Sequence, residues 1–148
     1  MKAILQRVTA SSVSIDGNVI GEIGRGLNVL LGIGQDDDES MVPKFTEKIV
    51  NLRIFQDEEG KMNRSLLDIK GEVLLISQFT LYGDCKKGRR PSFIKAADPE
   101  KGRVLYQKVI DAIQSYGIII TTGEFGGYMD VAIQNDGPTT IILDSNEI

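Results

Sequence analysis

Two runs of consecutive apolar residues constrain the fold of this chain more than any other feature of its sequence. LNVLLGIG (27–34) and EVLLIS (72–77) both lack the polar–apolar alternation of a strand that has one face in water. Uninterrupted apolar runs of this length, bounded by turn residues, are typical of central strands that are covered on both faces. The sequence therefore predicts a sheet with an anchored interior, and the rest of the chain must supply cover for it.

Two amphipathic helices are predicted to supply cover on one face. In the first, Val42, Phe45, Ile49 and Leu52 recur at three- and four-residue spacing. The acidic run 36–39 precedes this helix, where carboxylates interact favourably with the positive end of the helix dipole; a metal site is the alternative interpretation of that run. The second helix begins with Asp98 as N-cap and Pro99 at the first helical position. Its buried stripe is Leu105, Val109, Ala112, Ile113 and Tyr116, and Gly117 is placed to end it.

The remaining strands are predicted to be short. They span 2–9, 12–16, 19–23, 53–55, 117–121, 130–134 and 139–144, with a hairpin turn at Asp16-Gly17 and a glycine-rich loop at 123–127. The expected fold class is α+β, with a mixed or antiparallel sheet of short strands and two main helices on one face. Residues 1–148 are expected to form a single domain. Because two helices cover only one face, we expect a homodimer that packs sheet against sheet.

The absence of histidine excludes several kinds of chemistry. None of the 148 residues is histidine and only one, Cys85, is cysteine. Ser-His-Asp and Cys-His nucleophile systems, imidazole acid–base catalysis, Cys-cluster metal sites and a disulfide framework are therefore excluded. No metal and no cofactor is expected. Cys85 is interpreted as an incidental loop thiol, the alternative being a reactive thiol beside Lys86.

Composition also bears on location and on partners. No apolar run approaches the ~20 residues of a membrane span, and the first residues show no signal peptide, so we expect a cytoplasmic protein without a membrane partner. The net charge of −4 argues against a protein that coats long nucleic acid, and DNA is not an expected partner. The sequence has one dense basic cluster, which consists of Lys86, Lys87, Arg89 and Arg90. It is either a solvated loop or a loop that faces phosphates.

Two polar stretches are candidates for chemistry. The apolar strand at 72–77 ends in Ser77, Gln78, Phe79 and Thr80, whose hydroxyl, amide and backbone N–H groups could face a developing oxyanion; ordinary strand-exit residues are the alternative. The second stretch is NDGP (135–138), either a hairpin turn or a Gly-Pro pair fixed cis with both carbonyls turned to one side. Arg7, in the first strand, either faces solvent or reaches into a site.

These motifs, taken together, resemble those of the D-aminoacyl-tRNA deacylase family. The resemblance rests on the opening KAILQRVTASSVSIDGNVIGEIGRGLNVLLGIG, on SQFTLYGD followed by KKGRRPSF, and on NDGPTT, and it covers essentially the whole chain. A related type that acts on L-aminoacyl-tRNA carries Pro and Ala in place of Ser77 and Phe79, which favours the D-specific branch. Thr139 departs from the family pattern, where Val is more usual, but its β-branched shape should leave the Gly137-Pro138 geometry unchanged.

The resemblance implies an esterase that frees tRNA from D-amino acids, and from glycine mischarged on tRNA for alanine. It implies a homodimer with shared active sites, in which Gly137 and Pro138 of one subunit, joined by a cis bond, enter the pocket of the other and select chirality. Arg7 would brace their loop. Phe125 would pack against the adenine of the tRNA 3′ end. The residues that line the ester, mainly through their backbone groups, would be Ser77, Gln78, Phe79 and Thr80.

Two questions stay open at the level of sequence. The first is which group activates water or attacks the ester. The ribose 2′-hydroxyl of the substrate is preferred. Thr80 as a covalent nucleophile is the alternative, but nothing in the sequence identifies a base that would activate it. The alternative to the deacylase as a whole is a non-catalytic dimeric module that binds RNA 3′ ends through the basic loop.

Overall fold

Eight strands and two helices follow one another in the computed structural model, which describes residues 1–148. In chain order they are β1 (Lys2–Ile15), β2 (Asn18–Ile23), β3 (Gly26–Gly32), α1 (Val42–Asn51), β4 (Phe55–Gln56), β5 (Met62–Arg64), β6 (Glu72–Ser77), α2 (Pro99–Ser115), β7 (Ile120–Thr122) and β8 (Asp130–Asp144). Both helices begin and end close to their predicted positions. The side chain of Asp98 accepts hydrogen bonds from two backbone N–H groups at the start of α2, and Gly117 adopts a positive φ of 77° just beyond its end.

The main sheet is mixed and strongly curved. Its strand order is β2-β1-β3-β6-β7, with β8 paired to the other side of β1. Strand β1 is antiparallel to β2, β3 and β8, whereas β3, β6 and β7 run parallel. The curvature brings β2 against β7, where a Cβ on Gly21 would lie 2.5 Å from the Thr121 methyl group. The sheet therefore almost closes into a barrel, and β4 and β5 form a separate small hairpin.

Both helices pack on one face of the sheet, as predicted. They share with it a core cluster of 23 buried residues. In this cluster Phe45 and Ile49 come from α1, Val109 and Ile113 from α2, and alternate residues such as Leu75 from the strands. The hydroxyl of Tyr106 donates a 2.7 Å hydrogen bond to the carbonyl of Leu75 and so ties α2 directly to β6. Burial raises the pKa of Tyr106, which keeps this donor protonated.

The opposite face of the interior strands is also buried. Leu74 and Ile76 of β6 belong to a second apolar cluster with Val8, Val13 and Ile23. Half-buried side chains from the chain preceding β8 and from β8 itself complete it: Met129, Val131 and Ile133. Strand β6 thus has apolar cover on both faces, which confirms what its uninterrupted apolar run predicts.

Two of the predicted strand divisions are wrong. The segments predicted at 2–9 and 12–16 form one 14-residue strand, β1, and those predicted at 130–134 and 139–144 form one 15-residue strand, β8. The two long strands pair with each other from Lys2↔Asp144 to Ser14↔Asp130. This long-range ladder keeps both strands extended even at the small and polar residues, which in the sequence suggest that each strand is interrupted.

The acidic run before α1 serves local structure and ion pairing. Asp38 accepts a 2.8 Å hydrogen bond from the N–H of Ser40 and so caps a short 3₁₀ turn, while Glu39 pairs with Lys108 of α2 at 2.6 Å. Asp37 turns inward and is buried. The run therefore does not gather around a common point, and no group of three or more potential metal-binding side chains occurs in the structure. Neither helix is long and apolar enough to span a bilayer.

Candidate active site

The end of β6 is held firmly in place before the chain turns. Its last residue, Ser77, is in register with Leu31 of β3, and the N–H of Gln78 donates a 2.7 Å hydrogen bond to the Leu31 carbonyl. A short 3₁₀ turn, Phe79–Tyr82, follows at once. The Tyr82 hydroxyl donates to the buried carboxylate of Asp37 at 3.1 Å, and burial together with the charge of Asp37 raises the pKa of Tyr82. The turn is thus anchored at both ends.

The predicted residues of this turn line the largest well-formed cavity of the molecule, which has a volume of about 700 Å³. Ser77, Gln78, Phe79 and Thr80 form one side of it. The start of α2 forms a second side, and the loop that precedes β8 forms a third, with Phe125 among its lining residues. A cavity of this volume falls in the range of sites for small ligands and cofactors, so it can hold a group the size of a nucleoside.

Aromatic side chains shape the cavity. Phe79, which is 55% exposed, meets Phe93 edge to face with ring centroids 5.1 Å apart. Phe125 is half-buried; its ring lies 5.5 Å from that of Tyr106, and the Arg103 guanidinium sits 4.8 Å from its centroid. Tyr128 is 91% exposed at the rim. Flat apolar surfaces of this kind suit the stacking of a planar base.

The polar groups in the cavity offer hydrogen bonds, and none of them is a histidine or a lysine that could act as a general base. The hydroxyl of Thr80 pairs with the side-chain amide of Gln78, which is not basic. Asp98 is the one carboxylate among the lining residues, and its Oδ1 accepts two 3.0 Å hydrogen bonds from backbone N–H groups at the start of α2. Phe79 and Thr80 open the 3₁₀ turn, so the turn itself does not use their N–H groups. What the cavity can supply is a set of backbone donors for a negatively charged oxygen.

The NDGP stretch is a bulge in a strand and not a hairpin. Gln6 pairs with Thr140 and Val8 with Asn135, so the four residues between Asn135 and Thr140 stand opposite Arg7 alone. Asn135 closes the bulge by accepting a 2.9 Å hydrogen bond from the N–H of Thr139. Thr139, the residue that departs from the family pattern, is buried inside the bulge.

Gly137 and Pro138 project from this bulge. The peptide bond between them is cis, both residues are exposed, and Gly137 has a φ of 126°, a region that favours glycine. A Cβ at Gly137 would lie 2.6 Å from Oγ1 of Thr139 and 2.9 Å from a guanidinium nitrogen of Arg7. Neither Gly137 nor Pro138 is among the residues that line the cavity of the same chain. Within one chain the two predicted parts of the site are therefore not brought together.

Arg7 fastens the bulge to the body of the protein. Its side chain is buried, so the interpretation that it faces solvent is wrong. Its Nη1 donates a 2.6 Å hydrogen bond to the carbonyl of Ile54, and its Nε donates at 3.1 Å to the carbonyl of Asp136. The same Nε lies 3.2 Å from the Asp136 carboxylate. The guanidinium thus bridges the bulge and the chain just before β4.

Replacing Arg7 with methionine should lower the free energy of unfolding by roughly 1.5 to 3 kcal/mol, the range found for hydrogen bonds to charged groups. The reason is that the Ile54 and Asp136 carbonyls would lose their donor. Urea titration followed by circular dichroism measures the change. Arg53→Met is the matched control, because Arg53 is exposed and its side chain makes no hydrogen bond or ion pair. Equal stability of the two variants would contradict the bridging role.

Sequence reasoning missed several residues that line the cavity. Phe93 follows the basic loop, Gly126 and Gly127 end the predicted glycine-rich loop, and Tyr128 and Met129 follow it. A signal for them exists, because a loop with three glycines in five residues sits directly before exposed and half-buried apolar side chains that no strand pattern accounts for. Cys85, by contrast, lies exposed outside this cavity.

Comparison with known proteins gives consistent matches along the whole chain. The model of a family described as D-Tyr-tRNA(Tyr) deacylase matches residues 4–144. A D-aminoacyl-tRNA deacylase from Clostridium kluyveri is 58% identical over 148 residues, covering 100% of this chain and 99% of the relative. One from Fervidobacterium nodosum is 54% identical with the same coverage.

Solved structures agree on the fold. A protein named c-Myc DNA Unwinding Element Binding Protein is 42% identical, with a TM-score of 0.91 over 97% of this chain and 98% of that one. A probable eukaryotic D-amino acid tRNA deacylase has a TM-score of 0.81 over 96% and 97% of the two chains, at 18% identity. The similarity to the second structure, at 18% identity, bears on the fold alone. Both structures match the α+β fold with its mixed, nearly closed sheet.

Proposed function

Because the chain belongs to the D-Tyr-tRNA(Tyr) deacylase family, we propose that it hydrolyses the ester between a D-amino acid and the 3′-terminal adenosine of tRNA. The observation that carries this proposal is the cavity of about 700 Å³ at the end of β6, which combines aromatic walls with backbone donors. The aromatic walls suit a base, and the donors suit an ester oxygen that becomes negative. A cytoplasmic location goes with this proposal, because aminoacyl-tRNA is made and used in the cytoplasm.

The adenosine would occupy the side of the cavity formed by the loop before β8. Phe125 is the proposed stacking partner of the adenine, because Tyr106 and Arg103 hold its ring in position. The ester would then lie against Ser77, Gln78, Phe79 and Thr80, where the N–H groups that the 3₁₀ turn leaves unused would donate to its carbonyl oxygen. These are backbone contacts, so they do not depend on a specialised side chain.

Hydrolysis in this site would draw its base from the substrate. Water attacks the carbonyl carbon, the bond from that carbon to the ribose 3′-oxygen breaks, and the leaving oxygen takes up a proton that the water gives up. The lining side chains include no histidine, no lysine and no carboxylate free of its helix-capping role. The neighbouring 2′-hydroxyl is within reach of both the water and the leaving oxygen, so it is the proposed proton carrier.

Selection against L-amino acids would fall to Gly137 and Pro138 of a second copy of the chain. Their exposed bulge lies away from the cavity of its own chain, so a homodimer with shared active sites would bring it into the partner's cavity. A wall of fixed backbone rejects an L side chain while leaving room for a D side chain or for the hydrogen of glycine. Arg7 would then hold that wall at its required position.

The dimer accounts for surface that one chain leaves uncovered. Strand β8 pairs only with β1, so its other edge is free, and Ile142 within it is 75% exposed. A free strand edge is available to pair with a second chain. Sedimentation equilibrium at micromolar concentration should give a particle of two chains, and a stable monomer would contradict both the dimer and the shared site.

The direct test is stereoselective ester loss. Purified protein is incubated with D-tyrosyl-tRNA or with L-tyrosyl-tRNA, and the remaining ester is measured over time. Hydrolysis of the D form at least about a hundredfold faster than the L form is expected, because a steric clash of a few kcal/mol is worth that ratio. Glycine mischarged on tRNA for alanine should be hydrolysed as well. Equal loss of the two tyrosyl esters would contradict the proposal.

A nucleic-acid-binding module without catalysis is the second candidate. The observation that favours it is the exposed basic loop, together with the DNA-element-binding name of the relative that is 42% identical. The same incubation decides between the two, because a binding module leaves both esters intact.

A further inference from the structure

A second surface, beside the cavity, has the chemistry of a phosphate-binding site. From Cys85 to Ala97 the chain carries five cations and no acid, in a protein whose net charge is −4. Lys86, Lys87, Arg89 and Arg90 are all exposed, and none of them makes an ion pair or a side-chain hydrogen bond. Elsewhere five cations pair with carboxylates, and the unpaired ones, such as Arg53, do not form a cluster of four charges in five positions.

This basic hairpin, residues 84–92, is held rigidly at its base. Asp84 and Ser92 exchange two backbone hydrogen bonds of 2.8 and 2.9 Å. Gly88, at the tip, has a φ of 71° and permits the turn. Just beyond Ser92, the Phe93 ring packs against Phe79 in the wall of the cavity. The hairpin that carries the four charges is therefore tied down next to the candidate active site.

The cations continue around the 3₁₀ turn. A shallow depression of about 370 Å³ lies against residues 81–85 and is lined in addition by Lys2, Lys86 and Lys95. Phe79 and Thr80 of the same turn line the large cavity. One short turn thus separates a nucleoside-sized apolar cavity from a surface that bears ammonium and guanidinium groups.

From this arrangement we infer that the basic hairpin and Lys95 bind the phosphodiester backbone of the single-stranded RNA 3′ end whose terminal adenosine enters the cavity. This inference rests on the proposed function for the identity of the strand. A strand that leaves the cavity must carry its next phosphates over the adjoining surface, and arginine recognises phosphate through two parallel hydrogen bonds. A merely solvated loop would not require four like charges in five positions, which repel one another.

The test compares a substrate with phosphates and one without. In the double variant Arg89→Gln, Arg90→Gln, kcat/KM for D-tyrosyl-tRNA should fall about tenfold at low salt, whereas kcat/KM for D-tyrosyl-adenosine, which has no phosphate, should not change. The slope of log kcat/KM against log salt should become shallower by about 1.4, because each phosphate contact with a single strand contributes about 0.7. The double variant Lys44→Gln, Lys48→Gln removes the same charge from exposed positions on α1 and should leave both substrates unaffected.

A charge-conserving variant and a direct measurement of RNA binding complete the test. Arg89→Lys, Arg90→Lys keeps the charge and should recover most of the salt slope. Fluorescence anisotropy of a short RNA ending in CCA, measured without catalysis, should show weaker binding to the glutamine variant. Unchanged kcat/KM for tRNA with unchanged RNA binding would overturn the role of the hairpin, and so would a preference of the hairpin for DNA of the same sequence. Loss of RNA binding in a protein that hydrolyses neither ester would instead support the hairpin and overturn the deacylase.

Discussion

Gly137→Ala should lower kcat/KM for D-tyrosyl-tRNA about a hundredfold, the loss that accompanies a displacement of roughly 1 Å in a substrate-positioning group. The physical reason lies within the chain itself. The added methyl group would sit 2.6 Å from Oγ1 of Thr139 and 2.9 Å from the Arg7 guanidinium, and alanine disfavours a φ of 126°. The bulge must therefore shift, and with it the proposed chirality wall. Initial rates of ester loss at several substrate concentrations measure the effect.

The matched control is Gly60→Ala. Gly60 also has a positive φ, 79°, but a Cβ there has no neighbour within 4 Å, and it lies in the turn between β4 and β5. This variant should lose some stability to backbone strain and retain its activity. Thermal melts of both variants separate the two effects. If Gly137→Ala turned over D-tyrosyl-tRNA at the wild-type rate, the bulge would have no part in catalysis.

Removal of the substrate's 2′-hydroxyl is expected to have an effect at least as large. D-Tyrosyl-tRNA that ends in 2′-deoxyadenosine should react roughly 10² to 10⁴ times more slowly, which is the contribution of a positioned proton carrier. The reason is that Thr80 pairs only with the amide of Gln78, and the one carboxylate of the cavity, Asp98, is engaged as a helix cap. Single-turnover hydrolysis with excess protein measures the chemical step.

Thr80→Val tests the alternative nucleophile on the same assay. Valine keeps the β-branched shape and removes the hydroxyl, so the rate should change by less than about fivefold if backbone groups do the work. Abolished turnover in this variant, together with unimpaired hydrolysis of the 2′-deoxy substrate, would instead identify Thr80 as the nucleophile.

Local patterns were sufficient to predict the parts of the fold that depend on neighbouring residues. The cap at Asp98-Pro99 and the apolar stripe that begins at Leu105 define α2 within a few residues, although Tyr116, predicted as the buried end of the stripe, is 40% exposed at the C-cap. The apolar run of β6 predicts a strand buried on both faces because that requirement acts on each of its positions separately. The position of the cavity at the end of β6 follows from the same run.

The features that could not be predicted from local patterns depend on contacts between distant parts of the chain. Strands β1 and β8 look interrupted in sequence but are continuous because each stabilises the other across more than a hundred residues of chain. Arg7 is buried for the same kind of reason, as its two carbonyl partners belong to residues 54 and 136. Nothing next to Arg7 in the sequence indicates either partner. The other lining residues of the cavity likewise come from loops whose meeting point is set by the curvature of the sheet.

The bulge in β8 also determines where this protein can change in length. Ladder pairs with β1 flank the bulge on both sides, at Gln6↔Thr140 and Val8↔Asn135. Adding or deleting one residue between them would either reshape the bulge and displace Gly137 and Pro138, or shift the ladder register and turn later side chains such as Leu143 out of the core. The turn at 57–60 is under no such constraint, because the hairpin beyond it has only two paired positions. Inserted peptides or labels therefore belong at 57–60, and the segment 135–140 has a fixed length.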